Sequence, residues 1–361
     1  MSSKKIWIKA NGNGIIATGH IRRCMSIAKE FIQKGMEVTF ALSDEQSANI
    51  LKTLSDEEGS FFEGVILHTN YSEPSEDIEL LKDIFVEEKP DLFLIDTYFV
   101  TPDYFEQLKK MLDEVSPDTK LAYIDDLYKF DYPVDIIINY DIEIPEDFYG
   151  APIKLLGPEY SPIREQFAQN DYVIRDRAQK AFLSAGGTDP YHVLGDILKE
   201  IYYDDSPCRG VLDLTGITCE VIVGALFEDD YKKELEEMAS KDSRINIHEA
   251  VDNMANIMKD CDFAVSAGGT TLYELCAVGV PTVVFSMADN QVDFAMTFDK
   301  KGAAKYAGDA RKDHRLVQKI VTWGTAAVEN PGFRKRMSDT ARGLIDGMGA
   351  KRIADVIVER I

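Results

Sequence analysis

Short apolar runs alternate along the chain with longer segments whose apolar residues recur every three or four positions. The runs read as buried parallel strands and the segments as amphipathic helices. In the first half, strands are predicted at Ile6–Ala10, Glu37–Leu42, Asp91–Ile95, Lys120–Ile124 and Val134–Asn139. Helices are predicted at His20–Lys34, closed by Gly35, at Asp77–Glu88 and at Asp103–Val115, and the acidic stretch before Asp77 reads as loop-rich. The second half repeats the scheme. Strands at Lys180–Ser184, Thr218–Val223, Ile245–His248, Phe263–Ser266 and Thr282–Phe285 alternate with helices at Tyr191–Tyr203, Tyr231–Ser240, Asp252–Lys259 and Thr271–Val278. A helix starting near Asn290 and three further helical stretches complete the chain. Such alternation implies an α/β fold with parallel sheets covered on both faces. The polar stretch Glu165–Ala178 is the expected linker between two Rossmann-like domains, 1–168 and 169–361, facing a cleft at the strand C-terminal ends.

Composition narrows the function. The length of 361 residues suits two domains of ordinary size. A net charge of −23 argues against a nucleic-acid partner, which needs a basic surface to displace counterions. Any phosphate site must therefore be built locally, from helix ends and a few basic residues. No apolar run approaches the roughly 20 residues of a membrane span, and the start, MSSKKIWIK, holds no secretory apolar region. Five cysteines (24, 208, 219, 261 and 276) without a CxxC pair suit reduced thiols. The expectation is a cytoplasmic monomer with no transmembrane segment.

The stretch Ser266–Pro281, SAGGTTLYELCAVGVP, combines a strand end, the glycine turn Gly268-Gly269-Thr270 and a helix. Glycine lets backbone amides approach a ligand, and the helix N-terminus adds partial positive charge. An anion such as a diphosphate fits there, with Glu274 one turn on to take a ribose diol. The bland reading is an ordinary β-α-β turn.

The first loop, Asn11–Gly19, admits two readings. Gly12-Asn13-Gly14-Ile15-Ile16-Ala17 fits the dinucleotide fingerprint GxGxxA, with Asp44 as the ribose acid. Alternatively, the helix starts late, at Thr18-Gly19-His20, and points His20 from a helix N-terminus as a neutral general base. His20 and Cys24, four apart, make only half a metal site, so no metal and no cofactor is expected. Arg22 and Arg23 follow, either as surface charge or as phosphate or sugar contacts. Asp96, Tyr98 and the pair Asp125-Asp126 lie at strand ends, where aspartate also serves as a helix cap. Arg164, in YSPIREQF, sits near the linker and suits a carboxylate or phosphate partner. His68, His192, His248 and His314 read as structural or surface residues.

Taken in order, these motifs resemble one family. They are the loop ending in Gly19-His20-x-x-Arg23, YIDD followed by VDIIIN, LLGPEYSPIREQF, SAGGTD, and SAGGTTLYELCAVGVP with Asn290-Gln291. The family is the UDP-2,4-diacetamido-2,4,6-trideoxy-β-L-altropyranose hydrolase of pseudaminic acid biosynthesis, a GT-B-type protein related to the lipid II-forming N-acetylglucosaminyltransferase. The resemblance implies a UDP-sugar hydrolase with His20 as its catalytic residue and Tyr98 beside the sugar. The expected sugar pocket further comprises Gly19, Arg23, Asp96, Asp126 and Arg164. UDP would be bound by Gly186, Gly187, Thr188, Ser266, Gly268, Gly269, Thr270, Glu274, Asn290 and Gln291. A GT-B glycosyltransferase is the alternative it leaves open, and a last helix crossing back onto the N-terminal domain is a further implication. Two positions depart from the family: Leu127–Asp135 holds no histidine, and Thr97 stands where members carry one.

Overall fold

The computed structural model describes residues 3–145, 147–168, 171–202, 214, 216–251 and 253–361. Tyr203, Cys208 and Asp252 lie outside the described residues. The chain divides into two units, Met1–Arg164 with Met348–Ile361, and Glu165–Gly347.

The first unit is built on seven parallel strands: β1 (Lys5–Ala10), β2 (Glu37–Leu42), β3 (Glu63–Ile66), β4 (Leu92–Asp96), β5 (Lys120–Ile124), β6 (Ile136–Asn139) and β7 (Ile153–Leu156). Their order is β3-β2-β1-β4-β5-β6-β7. Side chains of β1 alternate between the faces, Ile6, Ile8 and Ala10 on one and Trp7 on the other. The first face is covered by α1 (Gly19–Gln33) and α2 (Glu45–Glu57), the second by α3 (Asp77–Glu88) and α4 (Pro102–Val115). α1 buries Ile21, Cys24, Met25, Ile27, Ala28 and Phe31, the stripe expected of a 3.6-residue repeat. Lys89, left-handed at φ 46°, ends α3, and Pro90 follows because it cannot continue a helix.

The acidic, loop-rich reading of the stretch before Asp77 needs correction, because it contains α2 and β3. Asp44 caps α2, its carboxylate accepting from the Ser47 amide at 2.7 Å. The buried side of α2 includes Ser47 and Ser55 beside Leu51 and Leu54, so its apolar stripe is too thin to stand out.

The second unit carries β8 (Lys180–Ser184), β9 (Thr218–Ile222), β10 (Ile245–His248), β11 (Phe263–Ala267), β12 (Thr282–Ser286) and β13 (Lys305–Asp309) in the parallel order β10-β9-β8-β11-β12-β13. Its helices are α5 (Val193–Tyr202), α6 (Asp229–Lys241), α7 (Met254–Asp260), α8 (Thr270–Val278), α9 (Asp289–Lys301), α10 (Leu316–Glu329) and α11 (Pro331–Leu344). The last helix, α12 (Gly349–Val358), packs in the first unit. There Ile353, Ala354 and Ile357 are fully buried, Lys34 pairs with Asp355, and the Arg352 guanidinium donates to the Glu159 carbonyl at 2.9 Å.

Candidate active site

In an open parallel sheet, ligands bind beyond the strand C-termini where the strand order reverses. In the first unit that point lies between the neighbours β1 and β4. The loop after β1 closes on itself. The Asn13 side-chain oxygen accepts from the amides of Ile15 and Ile16 at 2.8 and 3.0 Å, and the Asn13 amide donates to the Ala17 carbonyl at 3.2 Å. The helix therefore begins at Gly19, well past Gly14, and Asp44 is spent as the cap of α2. Neither feature fits the dinucleotide fingerprint, which needs a helix opening directly on the glycines.

His20, the second residue of α1, sits against the end of β4. Its Nδ1 lies 2.7 Å from Asp96 Oδ1, and Asp96 is wholly buried. An ionised carboxylate only accepts, so Nδ1 carries the proton and Nε2 is left as the accepting atom. No partner of Nε2 occurs among the described residues. Arg23, one turn along α1, donates from Nε to Asp96 Oδ2 at 2.6 Å and from Nη1 to Asp126 at 2.6 Å, and also bonds the Tyr140 hydroxyl. The Cys24 thiol lies 3.4 Å from Asp96 Oδ2. The Tyr98 ring meets the His20 ring edge-on, centroids 4.4 Å apart, and its hydroxyl donates to Asp126 at 3.2 Å.

Electrostatics follow from this packing. Burial alone would raise the Asp96 carboxyl, but Arg23 and His20 outweigh it and hold the group well below the usual carboxylate range. Burial and Asp126 push the Tyr98 hydroxyl well above an ordinary phenol, so it stays a neutral donor. Burial and Asp96 likewise raise the Cys24 thiol, which leaves it protonated and unreactive.

The structure thus brings His20, Arg23, Asp96, Tyr98 and Asp126 together, with Gly19 opening the helix that carries two of them. Asp96 stands behind His20, both oxygens engaged within the protein. Asp125 does not join its neighbour. It is buried, accepting from the Leu127 amide and the hydroxyls of Tyr132 and Tyr149 at 2.8, 2.9 and 2.6 Å. Arg22 turns to Glu57 at 3.5 Å, and Arg164 is half-buried where the chain leaves the first unit for the second. Sequence reasoning missed Tyr140. It follows a strand, as the noted aspartates do, but an uncharged side chain gave no cue.

In the second unit the order reverses between β8 and β11. The two glycine loops, Gly186-Gly187-Thr188 and Gly268-Gly269-Thr270, follow these neighbouring strands. α8 opens at Thr270 with Gly269 as its cap. The amides of Gly187, Thr188, Thr270 and Thr271 have no hydrogen-bond partner among the described residues. Asp189 caps α5, accepting from the amides of Val193 and Leu194, both at 3.0 Å, and from Tyr231. Gln291 Oε1 accepts from the Met287 amide at 2.8 Å, while Asn290 is exposed in the first turn of α9. Ser266 is buried, its hydroxyl turned to the Ala267 carbonyl at 3.1 Å. Glu274 is half-buried on α8. Among the other histidines, His192 stacks on Tyr231 at 4.0 Å and His248 pairs with Glu220 at 2.7 Å.

Residues 217–355 match the glycosyltransferase family 28 C-terminal domain. This segment contains the α8 loop and the α9 start. An uncharacterised protein of Methanocaldococcus jannaschii is 25% identical over 295 residues, 78% of this chain. The UDP-2,4-diacetamido-2,4,6-trideoxy-β-L-altropyranose hydrolase of Campylobacter jejuni is 24% identical over 303 residues, 82% of this chain and 97% of that protein. Three curated relatives, the Methanocaldococcus protein among them, are matched over about half of their own length (55, 57 and 50%). The crystal structure of MurG from Acinetobacter baumannii superimposes with a TM-score of 0.66 at 13% identity, covering 99% of each chain. The fold is thus GT-B-like, two Rossmann-like parallel-sheet units. No helix among the described residues is long and apolar enough to cross a membrane.

Proposed function

We propose that the protein acts on a UDP-sugar and hydrolyses it, taking UDP from UDP-2,4-diacetamido-2,4,6-trideoxy-β-L-altropyranose or a similar nucleotide sugar. The observation that carries this reading is the His20–Asp96 pair at the reversal point of the first sheet, 2.7 Å apart. His20 Nε2 takes a proton from water as the water oxygen bonds to the anomeric carbon. The bond from that carbon to the phosphate oxygen breaks, and UDP leaves with the electron pair. Asp96 holds the ring in the accepting tautomer and supports the charge the ring acquires. Arg23 keeps Asp96 ionised and in place. The second unit receives the leaving diphosphate on the amides of Gly187, Thr188, Thr270 and Thr271. One preorganised donor of this kind contributes about 2.7–4 kcal/mol. The relative from Campylobacter jejuni supports the hydrolytic reading.

A second reading replaces water by an acceptor hydroxyl, making the protein a transferase. The match to the glycosyltransferase domain favours it, although that match takes in the α8 loop and the start of α9 but neither the Gly186–Thr188 loop nor the His20 cluster. The test is UDP release from a panel of UDP-2,4-diacetamido-trideoxyhexoses without added acceptor. Wild type should release UDP and free sugar. His20→Ala should lose roughly 10²–10⁴-fold in rate and still bind UDP. Asp96→Asn should fall in kcat because the amide can stabilise the wrong tautomer. Normal turnover by His20→Ala would sink the mechanism, and UDP-sugar binding without release would favour the transferase.

A further inference from the structure

Gly224, in the loop after β9, lies flat against the loop after β8. A β-carbon there would stand 2.3 Å from the Gly186 carbonyl oxygen, 2.4 Å from that of Gly187 and 2.5 Å from the Gly187 carbonyl carbon. These are backbone atoms, which cannot swing aside as the end of a side chain would. The Leu226 amide donates to the Gly187 carbonyl at 2.9 Å, so both carbonyls face the β9 loop.

A trans peptide is planar, with its N–H antiparallel to its C=O, and the described chain contains no cis bond. The amides sharing peptide planes with those two carbonyls belong to Gly187 and Thr188. The Gly187 amide therefore points away from Gly224 and the Thr188 amide away from Leu226, so both lie on the side opposite the β9 loop. Among the described residues neither has a partner, and beyond the chain neighbours no atom lies within 4 Å of where a β-carbon on Gly186 or Gly187 would be. Two successive amides turned to an open side form a concavity suited to an anion.

We propose that Gly224 is a positioning residue for the diphosphate. By seating the two carbonyls it aims the Gly187 and Thr188 amides at the leaving group. The inference rests on the reading of the second unit as the UDP holder, and adds a residue that no glycine motif pointed to. Any side chain at this position would push the β8 loop outward and rotate the two peptide planes.

The experiment compares Gly224→Ala with wild type, using UDP by titration calorimetry and uridine by ligand-observed NMR. The dissociation constant for UDP should rise roughly ten- to a hundredfold, the loss expected from misaligned hydrogen bonds to a charged group. That for uridine, which carries no phosphate, should not change. Gly343→Ala, on the exposed side of α11 with no atom within 4 Å of the new carbon, should match wild type in both. Equal UDP affinity in Gly224→Ala, or an equal loss for uridine, would overturn the proposal. If that variant does not fold, the amide resonances of Gly187 and Thr188 are followed while wild type is titrated with UDP. Shifts at both support the assignment, and no shift overturns it. Wild type that binds no UDP at all would sink the UDP reading as well, which separates the two failures.

Discussion

Asp141 follows Tyr140 at the end of β6, half-buried beside Asp126 and Asp125. Burial first, then these carboxylates, push it from 3.8 up to about 6, against the pull of Tyr128 and Arg23. A carboxyl raised in the folded state costs stability once it ionises. Below about pH 4 it is protonated whether the chain is folded or not, and contributes nothing. As pH rises through 6 the cost becomes complete. Asp141→Asn should therefore stabilise the first unit at pH 7.5 by about 1–2 kcal/mol, discounted from ~1.4 kcal/mol per unit for partial exposure, with no gain at pH 3.5. Urea unfolding at both pH values checks this, and an equal gain at both would rule out a charge effect. Asp96 has the opposite sign. Its depressed value contributes stability above the usual carboxylate range, which is lost only in strong acid.

At the scale of elements, three overlooked strands share one trait. β3, β7 and β13 are all sheet edges. An edge strand packs against one neighbour, so its sequence need not be uniformly apolar. β3 (EGVI) is half exposed, and β13 (KYAGD) contains Gly308 and faces a register shift between Val284 and Phe285 of β12. Central strands such as β4 and β11, buried at every position, were legible from their apolar runs. Helix ends also hold the second unit together. Arg334 on α11 is fully buried and forms no ion pair among the described residues. Its guanidinium donates to the carbonyls of Ala327 and Val328 in the last turn of α10, and to that of Arg175 at 2.5 Å. One side chain thus ties the end of α10 to the segment leading into β8. Arg334→Met keeps much of the volume but strips these carbonyls of their donor. It should destabilise the second unit by about 2–4 kcal/mol, read as a lower urea midpoint, while His20-dependent chemistry in the folded fraction is unaffected.

For the molecule as a whole, the decisive feature is that the first unit is discontinuous in sequence. Its core includes Ile353 and Ile357 of α12, packed beside α1, although the second unit lies between them along the chain. Burial of two such side chains is worth roughly 3–6 kcal/mol, a large share of the roughly 5–15 kcal/mol that stabilises a domain. Deleting residues 348–361 should therefore loosen the first unit selectively. Hydrogen exchange should quicken in β1 and α1 and remain slow in β8 and β11. Uniform quickening in both units would contradict this division.

The local pattern alone determined the alternation of elements, the two parallel sheets and the glycine loops, because strand burial and helical periodicity are written in short windows. It also singled out His20, at the end of the glycine loop, and Asp96, Tyr98 and Asp126, at or just past the ends of buried strands. What each of them does depended on tertiary structure. Asp96 and Asp126 meet Arg23 only because β4 lies beside β1 in the sheet and β5 beside β4, an order that no local window carries. The same holds for Asp125, which looks like the twin of Asp126 until the fold turns it toward Tyr132 and Tyr149. Gly224 matters for the same reason. Its role arises from contact with a loop nearly forty residues earlier, and strand order alone brings the two together.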